Sequence, residues 1–156
     1  MSETKVLPAG PAAPIDDGAR RERRPLYLSP VAAGFPSPAD GHVDRGLDLH
    51  AHLVRNQAAT FFLRAVGDSM IRAGIRDGDL LVVDRSLEAA NGSVVIAAVG
   101  GELTVKYLAR RNGRVLLVPA NGRYPELDVT DQEDAMIWGV VTHAVHRLRA
   151  GALGAR

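Results

Sequence analysis

The sequence predicts a mainly β domain behind a flexible N-terminal arm, on three observations. Short apolar runs recur from residue 60 onward, each bounded by turn residues: Thr60 to Val66, Leu80 to Val83, Val94 to Val99, Val115 to Val118 and Ala135 to His146. Two of the intervening turns, Gly100-Gly101 and Arg111-Asn112-Gly113-Arg114, are hairpin signals. Residues 1 to about 25 carry Pro, Ala, Gly and charge with no apolar period, so they bury too little surface to offset their ordering entropy.

Length and composition narrow the class. A chain of 156 residues fits one domain with room for an arm, and 46% apolar residues suffice for a core. A net charge of +1 gives no global attraction to nucleic acid. With no cysteine there is no disulfide, thiol nucleophile or thiolate metal site, in keeping with a reducing compartment. No apolar run reaches the length of about 18 residues that spans a membrane, and the N-terminus has no signal-peptide core. The expected location is the cytoplasm. No cofactor is expected.

The elements follow in order. Arg20-Arg21-Glu22-Arg23-Arg24 is a solvated basic run in the arm, and Leu26-Tyr27-Leu28 is expected to add a short strand. In Val31-Ala32-Ala33-Gly34-Phe35-Pro36-Ser37-Pro38 small residues precede two prolines, which keeps the backbone extended. Ala33-Gly34 is its least obstructed peptide bond, although a plain loop has the same pattern. Asp48 is expected to cap a short helix through Val54, with Leu49 and Leu53 on one face. His50 and His52, about 200° apart on that helix, cannot chelate one ion. Asp77-Gly78 opens the strand Asp79 to Asp84. Asp77-x-Asp79 resembles the start of a calcium loop, but the next ligand position is Leu81. Ser93 to Val99 and Glu102 to Arg110 form the clearest hairpin. Ala135 to His146 is long enough for a closing strand, on which His143 and His146 fall on opposite faces and make no metal pair. The residues beyond Leu148 read as a frayed tail.

The candidate chemistry lies at Gly67-Asp68-Ser69-Met70, where the run Thr60 to Val66 stops. Gly67 permits a sharp change of direction that holds the Ser69 hydroxyl out of the sheet. A serine needs a base, and of 17 Arg and two Lys only Lys106 is a lysine in the part that folds. An arginine cannot give up its proton, so Lys106 is the one such cation able to become a neutral base. Ser69-Met70-Ile71-Arg72 lacks the lysine of an S-x-x-K motif, and Gly67-x-Ser69-x-Ile71 lacks the second glycine of a nucleophile elbow. The residues also fit a plainer reading. Serine after glycine is a common turn pattern, and alternation puts Lys106 with Glu102 and Thr104, opposite Leu103, Val105 and Tyr107, the place of a solvated charge.

Ala33-Gly34, Gly67-Asp68-Ser69-Met70 and Thr104-Val105-Lys106, in that order and spacing, resemble the LexA/UmuD family of self-cleaving serine peptidases. Residues 31–38, 78–84 and 94–99 are most similar to its UmuD branch, the accessory subunits of error-prone translesion DNA polymerases. The resemblance covers roughly residues 26 to 148. It implies a partly barrel-like β domain with Ser69 as nucleophile and Lys106 as general base, overriding the parity argument. The cut would fall at Ala33-Gly34 in the protein's own chain, stimulated by a RecA filament on single-stranded DNA in the SOS response. Residues 1–33 would then be an arm removed by self-cleavage, 34–149 the peptidase domain and 150–156 the tail. The trimmed form would be a homodimer that joins a UmuC-type polymerase subunit and binds no specific duplex DNA. Alanine stands where UmuD usually has cysteine before the cut, and the arm is longer than expected of UmuD.

A LexA-like repressor would need a helix-turn-helix domain ahead of Ala33, for which those residues have neither length nor helical period. A signal-peptidase-like enzyme would need a membrane anchor. The remaining alternative is a polymerase and filament binding module in which self-cleavage is lost or incidental.

Overall fold

The computed structural model of the chain describes residues 4–8, 22–27, 31, 33–34 and 45–149. Its contacts divide it into two compact units, residues 1–12 with 56–156 and residues 13–55. Most of the arm, Phe35 to Pro38 of the extended segment and the tail 150–156 lie outside the described residues.

Among the described residues, the regular structure of the larger unit is β apart from a 3-10 turn at Ile71–Ala73. Its strands are β1 (Lys5–Pro8), β2 (Thr60–Val66), β3 (Leu80–Asp84), β4 (Val94–Val99), β5 (Glu102–Arg111), β6 (Arg114–Val118), β7 (Leu127–Asp128) and β8 (Met136–Val145). The order in the sheet is β1-β2-β3-β8-β4-β5-β6-β7, and β1 also pairs with β5. That second pairing joins β1, β2, β3, β8, β4 and β5 into a closed six-stranded barrel, with β6 and β7 continuing from β5. Closure leaves those six strands no open edge, which is how a small sheet avoids presenting unpaired backbone. The strands predicted from residue 60 onward and both hairpins are therefore present.

Two expectations change here. β8 lies between β3 and β4 rather than closing the sheet, and the strand that closes it is β1, inside the segment read as an arm without regular structure. β1 is too short to be stable alone. It forms because β2 pairs with all four of its residues, Lys5↔Val66 through Pro8↔Leu63, while Lys5 also meets Thr104 of β5. Alternation does the rest, with Thr4 and Val6 buried and Lys5 exposed.

The core forms two clusters, drawn from opposite faces of the same strands. Ile96 and Val105, opposed in register, belong to one with Val6, Leu63, Ala65, Met70, Ile75, Leu81, Val83 and Ala120. Val95, Ala97, Leu108, Leu117, Ala89 and Val129 form the other. Both faces of β5 are thus covered, which overturns the parity reading of Lys106 as a solvated charge. Lys106 shares its face with the fully buried Leu108 and is itself 4% exposed. Gly139 marks where β8 presses on β3, since a Cβ there would stand 2.7 Å from Val83 Cγ1. After β7, hydrogen bonds from the Thr130 hydroxyl and then the Thr130 N–H hold the Asp128 carboxyl below the usual carboxylate range, with Arg114 adding attraction.

In the smaller unit Arg24 and Leu47 form an isolated antiparallel bridge, and α1 (Leu49–Leu53) is capped by the Asp48 side chain accepting from the Ala51 N–H. The helix buries none of its residues, and His50 and His52 are both exposed. Leu26 and Tyr27 are exposed and Tyr27 forms a β-bridge, while Leu28, the last residue of the short strand expected there, lies outside the described residues. Among the described residues no helix is long and apolar enough to cross a membrane.

Candidate active site

The turn after β2 is built to hold one hydroxyl still. Gly67 takes φ +96°, a left-handed conformation a residue with Cβ resists, and reverses the chain out of the strand. Its N–H donates to Asp77 Oδ1 at 2.8 Å, tying the turn to the loop before β3. Asp77 and Asp79 both help to fix the geometry of this loop. Asp79 accepts from the Arg76 N–H at 2.8 Å and pairs with His146 Nδ1 at 2.6 Å. On the other side, Asn121 Nδ2 donates to the Asp68 carbonyl at 3.1 Å and the Tyr124 hydroxyl donates to the Asp68 carboxylate. Met70 is fully buried in the first core cluster and anchors the turn from below.

The structure brings Ser69 and Lys106 together. Lys106 Nζ lies 3.2 Å from Ser69 Oγ, within reach for a proton to pass between them. Its other partners are Thr104 Oγ1 at 2.7 Å and the Val105 carbonyl at 3.2 Å. Ser69 is fully buried. An ammonium drawn out of water is disfavoured relative to the amine, so burial is the environment a lysine needs in order to act as a base. Ala33 and Gly34, the predicted scissile pair, are both exposed and belong to the smaller unit. His143 is exposed and bonded to the Thr142 hydroxyl, and His146 is engaged by Asp79 and Arg76. Among the described residues no group of three metal-ligating side chains forms.

Four contributors escaped the sequence reading. Thr104 holds the amine of Lys106, and its place two residues earlier on the same face was the available signal. Asn121 and Tyr124, beyond β6, brace Asp68 across more than 50 residues. Thr4, whose N–H donates to Ser69 Oγ at 3.0 Å, sits at the far end of the chain with no local pattern to mark it. Beside the turn opens a cavity of about 420 Å³ lined by Arg72, Tyr107, Ala120, Asn121, Tyr124 and Glu126 among others. It does not include Ser69 or Lys106.

Comparison with known proteins identifies the family. The family described as Peptidase S24-like matches residues 25–142. Protein MucA of Salmonella typhimurium is 49% identical over 122 residues, which are 78% of this chain and 83% of MucA. Protein ImpA of Shigella flexneri is 48% identical over 126 residues, 81% of this chain and 86% of ImpA. LexA repressor 1 of Nocardia farcinica is 46% identical over 118 residues, 76% of this chain but only 53% of the repressor. The chain is a UmuD-like member of the LexA/UmuD, or Peptidase S24-like, family of serine peptidases.

Proposed function

We propose that this chain is a self-cleaving peptidase of the SOS response that cuts its own Ala33–Gly34 bond with Ser69 as nucleophile and Lys106 as general base. The observation that carries the reading is the 3.2 Å approach of Lys106 Nζ to Ser69 Oγ in a site where both side chains are buried. Neutral Lys106 takes the Ser69 proton as Oγ attacks the Ala33 carbonyl carbon. It then gives that proton to the departing Gly34 nitrogen, and water releases Ala33 from the acyl ester on Ser69. The small Ala33 and Gly34 leave the carbonyl open to approach.

The UmuD-like resemblance extends the proposal. Docking on a RecA filament on single-stranded DNA stimulates the cut, residues 1–33 leave, and residues 34–149 remain as the working domain with 150–156 as its tail. The product is a cytoplasmic homodimer that serves as accessory subunit to a UmuC-type error-prone polymerase, with no specific duplex-DNA binding and no cofactor. The test is mass spectrometry of the purified chain after incubation at alkaline pH, and separately with RecA, single-stranded DNA and a nucleotide. Fragments ending at Ala33 and starting at Gly34 are expected in both. A chain intact under both conditions overturns the peptidase and leaves the binding module.

A further inference from the structure

β1 lies in the slot between β2 and β5 and carries backbone onto the nucleophile. The Thr4 N–H donates to Ser69 Oγ at 3.0 Å, and the Thr4 carbonyl accepts from Thr104 Oγ1 at 3.1 Å. Thr104 in turn holds Lys106 Nζ. One residue of the N-terminal segment therefore touches the serine directly and the lysine through a shared hydroxyl.

A serine oxygen has two acceptor lone pairs. As the bonds are oriented, the Thr4 N–H engages one and Lys106 Nζ the other. Attack needs a lone pair aimed at a carbonyl carbon about 3 to 3.5 Å away. What stands against Ser69 is an amide N–H. Thr4 and Ser69 are both fully buried, so no second segment reaches the hydroxyl while Thr4 stays in place. The segment is held well enough to persist, with Val6 in the core cluster beside Leu63 and Ala65 and with Lys5 paired to Glu102 at 3.1 Å. It is also replaceable. Its pairing to β5 is a single register position, and the buried Thr4 hydroxyl finds no partner among the described residues, which makes docking costly.

We propose that the slot between β2 and β5 is a peptide-binding site that takes an extended segment by strand addition, and that residues 4–8 fill it as a self-ligand which must leave before cleavage. The backbone of β2 supplies bonds to any extended peptide, whereas the apolar place held by Val6 selects among them. The proposal rests on Ser69 and Lys106 being the cutting pair, and two readouts separate its failure from the failure of that reading.

The first readout is hydrogen exchange of the full chain carrying Ser69→Ala, which cannot cut. The amides of residues 5–7 are expected to be protected, and adding Val6→Asp is expected to raise their exchange about tenfold or more, because a buried charge drives β1 out. The second readout is self-cleavage at alkaline pH. Val6→Asp is expected to speed it about tenfold, since the competent state is no longer taxed by the occupied slot. Thr4→Pro, which deletes the N–H on Ser69 at a position ahead of the strand, is expected to speed it several-fold while the protein stays folded by circular dichroism. Unprotected amides at residues 5–7, or a folded Thr4→Pro chain that cuts at the wild-type rate, overturns the proposal. Protection released by Val6→Asp in a protein that never cuts upholds the self-ligand and overturns the peptidase instead.

Discussion

Lys106 Nζ stands 3.2 Å from Ser69 Oγ across 37 residues of sequence, and the same nitrogen is held at 2.7 Å by the Thr104 hydroxyl. A proton acceptor so placed has its orientation set before any substrate arrives, and only its protonation state remains to be chosen. As a base it works only as the neutral amine. Cleavage is therefore expected to accelerate as pH rises through the lysine's pKa and to level off above it, while below it the intact chain persists. Lys106→Arg keeps a cation that cannot deprotonate, so it is expected to lose at least about 10²-fold in rate at every pH, and Ser69→Ala to abolish cutting. Both are checked by gel densitometry across a pH series. pH-dependent cutting that survives in Lys106→Arg would move the base to another residue.

Gly34 is exposed, and among the described residues no atom apart from its chain neighbours lies within 4 Å of where its Cβ would be. Gly34→Glu therefore leaves folding untouched yet puts a bulky anion beside the carbonyl that Ser69 must approach within about 3.5 Å. The expected result is an unchanged melting temperature with cleavage reduced about 10²-fold or more. Cutting at the wild-type rate would remove Ala33–Gly34 as the scissile bond.

Asn121 donates to the carbonyl of Asp68, the residue just before the nucleophile. Asn121→Ala frees that carbonyl and loosens the turn without touching Lys106. The rate is expected to fall about tenfold, since small misplacements at a reacting atom are costly, while the pH at half-maximal rate stays where it was. A shifted pH midpoint would instead tie Asn121 to the proton chemistry.

At Gly139 an added Cβ would meet Val83 Cγ1 at 2.7 Å and Arg85 Cγ at 3.2 Å. The arginine is a flexible surface chain, but Val83 is fully buried in the barrel. Gly139→Ala is expected to cost about 1–3 kcal/mol by overpacking the β3–β8 contact, read as a lower midpoint in urea with an unchanged slope. A neutral result would mean that β8 slides on β3 at little cost, as the nearby register shift between Val82 and Val83 would then permit.

Strands β2 to β6 and β8 were legible in the sequence because each carries its own apolar run between turn residues, and the Gly67-Asp68-Ser69 reversal because a glycine and a strand end are local signals. α1 with its Asp48 cap was legible for the same reason. β1 and β7 were not, since neither run is long enough to be stable by itself and each exists only because a neighbour offers an unpaired backbone. The identities of Ser69 and Lys106 could be proposed from residue type and family resemblance, but alternation along β5 pointed Lys106 toward water. The tertiary structure decided otherwise. The face that Lys106 shares with Thr104 and Leu108 is buried once Leu108 enters the second core cluster and Thr4 and Ser69 close over the lysine end. Whether a side chain on a strand meets water depends on what the rest of the chain packs against that face, and no pattern within ten residues carries that information.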